Sequence, residues 1–137
     1  MFKIIVAVMF FLPAIVAAEP LKVTDGWARA SIPGTENGAA YATLENPHNK
    51  TLNVTHISSQ ISQVAEVHRH VMSGEVMKME AVKPLSIAPG EVIKFQPGGY
   101  HFMLFGLVSP LQEKDTFSLV LHFDSGAKQE VQFLVKQ

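Results

Sequence analysis

Cysteine is absent from the 137 residues. Its absence removes disulfides, thiol nucleophiles, thiolate zinc sites and blue-copper electron transfer, whose copper needs a cysteine ligand. Charge is scarce as well: 11 Lys and Arg stand against 12 Asp and Glu, and charged residues make up 17% of the chain. So even a mixture offers no concentrated basic face, which argues against nucleic acid or anionic lipid as a partner. The acidic residues are scattered and do not form the carboxylate cluster that a hard cation requires. Also missing are a glycine-rich phosphate loop, a serine in a nucleophile-elbow context and a helix carrying two histidines four apart.

One long apolar run is present, and it lies at the start. Ile4 to Ala17 is apolar throughout apart from the breaker Pro13, and it follows the single basic residue Lys3. Val16-Ala17-Ala18 has the small residues of a cleavage site, so residues 1–18 are expected to be a signal peptide and 19–137 an exported, periplasmic domain. The run is too short to span a bilayer comfortably, which disfavours a retained anchor. Without Lys3 the domain carries a net charge of −2 with histidines neutral. With no disulfides it must be stabilised by burial alone, and its length suits one domain.

From residue 21 onward, short alternating segments are separated by turn signals. The expected strands are 21–31, 39–45, 52–58, 64–71, 76–82, 91–95, 101–107, 116–123 and 128–135. Pro33-Gly34, Asn46-Pro47, Ser73-Gly74, Pro89-Gly90, Pro97-Gly98-Gly99, Ser109-Pro110 and Ser125-Gly126 punctuate them. Phe117, Leu119 and Leu121 face one way while Ser118 and His122 face the other, and Val131, Phe133 and Val135 repeat the pattern. No segment of ten or more residues carries a 3.6 period. Many short strands at regular spacing predict an all-β, antiparallel sandwich or barrel in one domain.

Histidine and methionine are distributed unevenly. Beyond the apolar leader the methionines are Met72, Met77, Met79 and Met103, and three of the six histidines, His68, His70 and His101, sit among them. A hairpin turning on Ser73-Gly74 pairs Met72 with Glu75, and so sets His68 opposite Met79 and His70 opposite Met77. Directly opposed side chains have Cβ atoms about 4.5–5.5 Å apart, within reach of a shared ion. Register is the sensitive step, because a loop of odd length moves the pairing by one and undoes the coincidence. His101 and Met103, two apart in a strand, project from one face, and the turn Pro97-Gly98-Gly99 delivers His101 at a strand end. Imidazole and thioether together favour Cu(I): thioether sulfur is soft, uncharged and needs no deprotonation, whereas zinc and hard cations prefer other donors.

The spacing His68-x10-Met79-x21-His101-x-Met103 resembles the signature of the PCu(A)C family of periplasmic copper chaperones. The resemblance runs over roughly 21–125 and includes Trp27-Ala28-Arg29, Pro33-Gly34, Ala40-Tyr41-x-x-Leu44-x-Asn46, Val76-Met77-Lys78-Met79 and Pro97-Gly98-Gly99-Tyr100-His101-x-Met103-Leu104. It implies a cupredoxin-like (Greek-key) β-sandwich that binds one Cu(I) ion through His68, Met79, His101 and Met103. It further implies delivery of that ion to the CuA centre of cytochrome c oxidase, alongside a Sco-type thiol protein. His70, Met72 and Met77 are auxiliary candidates for a path along which the ion moves; the alternative for them is surface and packing. Two features depart from the pattern. Arg69 follows the first histidine where a methionine often stands, and the end of the chain lacks a His/Met-rich tail, which puts a second, Cu(II) site in doubt. Trp27 is expected as a core anchor, Arg29 and Tyr100 as structural residues. No catalysis, small-molecule substrate or nucleic acid is implied, and a monomer is expected. Two rival readings remain on the same strands: a copper redox enzyme, and a metal-free adhesion or assembly module.

Overall fold

A computed structural model describes residues 2–12 and 20–137. The expected cleavage site after Ala18, and Glu19 as the first residue of the exported domain, lie outside the described residues. Residues 2–12 form no regular secondary structure and are exposed. No helix among the described residues is long and apolar enough to cross a membrane.

The remainder is built of strands: β1 (Lys22–Arg29), β2 (Gly38–Glu45), β3 (Leu52–Ser59), β4 (Ser62–Ser73), β5 (Val76–Ala81), β6 (Leu85–Ile87), β7 (Val92–Lys94), β8 (His101–Leu107), β9 (Thr116–Phe123) and β10 (Lys128–Lys136). Nine of these occupy the segments anticipated from alternation and turn signals. The tenth, β6, is three residues long, too short for a period of two to register.

Hydrogen bonding runs in the order β5-β4-β8-β2-β1-β10-β9-β3-β6, with β7 on β2 and a further pairing of β3 with β4 at Ile57 and Ala65. That last pairing closes the sheet on itself, so the architecture is a closed β-barrel or sandwich. Every pairing is antiparallel except β1 with β10, which run parallel. β1 also carries a bulge between Thr24 and Trp27, with Asp25 at φ 55°. Gly26 is required at the bulge because a Cβ there would collide with the backbone carbonyl oxygen of Gln132.

The alternation seen in the sequence is the wall of the core. Phe117, Leu119 and Leu121 of β9 and Val131, Phe133 and Val135 of β10 are buried, and their neighbours face outward. Aromatic rings run through the centre: Phe102 lies 4.5 Å from Phe95 and 5.7 Å from Phe133 between centroids, and Phe133 lies 5.2 Å from Phe117. Trp27 is half-buried rather than central, packing on Tyr41 at 4.7 Å. Asn46 is fully buried: its amide donates to the carbonyls of Lys50 and Ile87, and its oxygen accepts from the His48 backbone. These bonds tie together loops that would otherwise leave buried carbonyls unpaired, which gives Asn46 a structural part.

Candidate metal centre

The β4–β5 hairpin positions most of the histidines and methionines. Its loop is Gly74-Glu75, flanked by the pair Ser73 and Val76, one residue later than the Ser73-Gly74 loop expected from the sequence. The reason is backbone conformation. Gly74 has φ 65°, and a two-residue hairpin with a positive φ at its first position favours glycine there. The shift changes the partners. His70, not His68, stands opposite Met79; Met72, not His70, stands opposite Met77; and His68 stands opposite Ala81. Because each partner moves by two residues, the faces do not change. His68, His70 and Met72 still share one face with Met77 and Met79.

The third strand of the site is β8, on the other side of β4. His68 stands opposite His101 and Glu66 opposite Met103. Phe102 and Leu104 are buried in the core, so His101 and Met103 emerge on the face that carries His68. The four residues of the sequence pattern thus lie on one face of three adjacent strands. His68 and His101 are directly opposed, with ring centroids 5.9 Å apart, and the His70 ring lies 5.4 Å from His101. Met103 follows one row along β8, and Met79 comes from the neighbouring row on β5. Exposure differs sharply across the set: His101 is 5% exposed and Met79, on the edge strand, 53%.

Hydrogen bonds fix which ring nitrogens are free. A carbonyl oxygen only accepts, so the contact of 3.2 Å between His101 Nδ1 and the Gly99 carbonyl makes Nδ1 the donor and leaves the Nε2 lone pair available. The turn that ends at Gly99 thus both delivers His101 and sets its tautomer. In the same way His68 Nε2 donates to the Glu66 carboxylate at 2.7 Å. His68 Nδ1 is buried and has no hydrogen-bond partner, an exception shared only with Arg69 Nε among the described residues. An unpaired buried nitrogen is costly unless something fills the position, and an ion at Nδ1 would do so. Burial, foremost, holds the His101 imidazole below its ordinary pKa of 6.5; the bond to Gly99 opposes this, and His70 and His68 add to it. The neutral, metal-binding form therefore prevails at neutral pH.

No group of three or more His, Cys, Asp and Glu among the described residues is arranged to hold a metal ion. A multidentate site here accordingly needs thioether sulfur beside imidazole nitrogen, a donor set suited to a soft monovalent cation. Glu66 escaped the sequence reading, although its place two residues before His68 in a strand already puts it on the same face. Arg69 points to the opposite face, where it meets Glu80 at 3.5 Å and hydrogen-bonds Tyr100. The residue that departs from the family pattern therefore leaves the donor face unchanged. Tyr100 also stacks on Phe95, with centroids 5.5 Å apart, which gives it the structural part expected of it.

Residues 21–135 match the profile of the family described as "Putative lipoprotein LpqE-like". The chain is 29% identical over 120 residues to "Putative lipoprotein Lxx21020" of Leifsonia xyli subsp. xyli, covering 87% of this chain and 71% of that one. Among solved structures, the copper-bound PCuAC domain from PmoF2 superposes with a TM-score of 0.73 at 16% identity, over 88% of this chain and 96% of that one. The solution structure of CuI-DR1885 from Deinococcus radiodurans does so with a TM-score of 0.68 at 26% identity, over 90% and 83%. These domains share the cupredoxin-like fold seen here.

Proposed function

This chain belongs to the LpqE-like family, and from that membership together with its donor face we propose that it is an exported copper chaperone. It carries one Cu(I) ion on His68, Met79, His101 and Met103, and its signal peptide, residues 1–18, is removed on the way to the periplasm. The observation that carries the reading is the convergence of β4, β5 and β8 on one face, with His68 Nδ1 buried and unpaired beside His101. Similarity to copper-bound PCuAC domains supports it. The four ligands are neutral, so the ion brings the only charge within the ligand set, and the Glu66 carboxylate behind His68 offsets it. A site that takes one donor from an edge strand can open and surrender its cargo. The acceptor is the CuA centre of cytochrome c oxidase, with a Sco-type thiol protein as the companion. The role is carriage without turnover, since a set of four soft and borderline protein ligands leaves no open position for substrate.

The test is an anaerobic titration of the exported domain with Cu(I) against a chromogenic chelator. Wild type is expected to compete for the ion with high affinity, and His101→Ala to lose that competition. Equal affinity in the two proteins would refute the site.

A further inference from the structure

Above the proposed site, toward the loop, the β4–β5 hairpin carries donors that neither the core nor the four-ligand site uses. Met72 and Met77 are directly opposed, one row from the loop. They are 61% and 58% exposed and stand outside the hydrophobic core. Two large thioether side chains opposed in water contribute almost nothing to packing, so core filling does not account for them. Opposed Cβ atoms lie about 4.5–5.5 Å apart, close enough for both sulfurs to meet one ion. His70 is the next residue on the same face of β4 and supplies a nitrogen. The charged residues of the hairpin strands beside them, Arg69, Lys78 and Glu80, pair with Glu80, Val71 and Arg69 in register and so occupy the other face. Glu75 lies in the loop itself, so along the strands this face presents uncharged thioether and imidazole donors, with one carboxylate beyond them.

We infer that Met72, Met77 and His70 form a second, outer Cu(I) station at the hairpin tip, through which the ion enters and leaves the inner site. The inference rests on the reading of His68, Met79, His101 and Met103 as that inner site. Thioether pairs select Cu(I) over zinc and hard cations. Successive rows on one strand face lie about 6.8 Å apart, so the Met72/Met77 row, the His70/Met79 row and the His68/His101 row form a stepped series of donors. The ion remains Cu(I) throughout, exchanging thioether and imidazole ligands with no change of oxidation state. The tip station is the weaker of the two, with fewer donors and greater exposure to water.

The experiment is an anaerobic Cu(I) titration of the protein carrying [13C-methyl]methionine, with each methyl resonance followed by NMR. The first equivalent is expected to shift the methyls of Met79 and Met103, and the second those of Met72 and Met77. The double variant Met72→Leu, Met77→Leu should lose the second equivalent, keep the first, and release copper to a chelator more slowly. The replaced side chains are exposed, and an unchanged Met103 resonance reports that the fold is intact. If the Met72 and Met77 methyls stay fixed through two equivalents while Met79 and Met103 respond, the outer station is overturned and the inner site stands. If Met79 and Met103 do not respond, the inner site is overturned, and the tip is then judged on the Met72 and Met77 signals alone.

Discussion

His68 Nε2 donates a hydrogen bond of 2.7 Å to the carboxylate of Glu66, two residues before it on the same face of β4. The bond leaves Nδ1, buried and without a partner, as the ring nitrogen open to an ion, an arrangement that raises donor basicity and fixes ring orientation. Replacing Glu66 by Ala removes this support. Copper affinity is expected to fall by about 10–100-fold, while stability changes little because Glu66 is exposed. Competition titration against a Cu(I) chelator reads the first, and urea unfolding the second. Unaltered affinity would leave the carboxylate without a part in metal binding.

Met103→Leu separates chemistry from packing. Leucine nearly conserves the volume, so the half-buried position beside Ala39 should tolerate it at a cost below about 1.5 kcal/mol. The sulfur is lost entirely. Thermal melting should be close to that of wild type, with Cu(I) affinity sharply reduced. Wild-type affinity in this variant would remove Met103 from the ligand set.

Between His101 and Met103 lies Phe102, which is 0% exposed and packed between Phe95 and Phe133. Truncation to alanine leaves a cavity at the centre of the core and should destabilise the protein by about 3–5 kcal/mol. Urea unfolding measures it. A loss below about 1 kcal/mol would mean that the aromatic stack is not the centre of the core.

A second histidine pair lies away from the site. His56 and His122 oppose each other across β3 and β9 with rings stacked 3.9 Å apart, and His122 Nε2 contacts Ser58 Oγ. Burial, foremost, and then the neighbouring His56 and Lys128 hold the His122 pKa below its ordinary 6.5. The unfolded chain therefore takes up the proton first as pH falls. Stability from this group is fully present above pH 6.5 and is lost as pH drops through that value toward the lower folded pKa. His122→Gln should flatten this part of the profile. Urea midpoints of the two proteins from about pH 8 to about pH 5 test it, and parallel curves would contradict the assignment.

The walls of the fold were legible because they obey a period of two: Phe117, Leu119 and Leu121 announce a buried face by themselves. The donor face was legible for the same reason, since parity within a strand survives an error in loop position. The partners across the hairpin were not legible. They depend on whether Gly74 takes the first or second place in the loop, and that is decided by its positive φ rather than by any hydrophobic pattern. The burial of His101 was equally hidden, because the rings of His68 and His70 beside it come from another strand. Glu66 was within reach of parity but attracts no notice beside softer donors. β6 was too short to announce itself.

Met79 comes from β5, which has a partner on one side only, and more than half of its surface meets water. The proposed donor is thereby open to peroxide and hypochlorite. Conversion to the sulfoxide would replace a polarizable sulfur with a hard, polar oxygen, while the enclosed aromatic centre would be untouched. If Met79 holds copper as proposed, oxidative stress would thus disarm the protein and leave it folded, and a methionine sulfoxide reductase would return it to service without new synthesis.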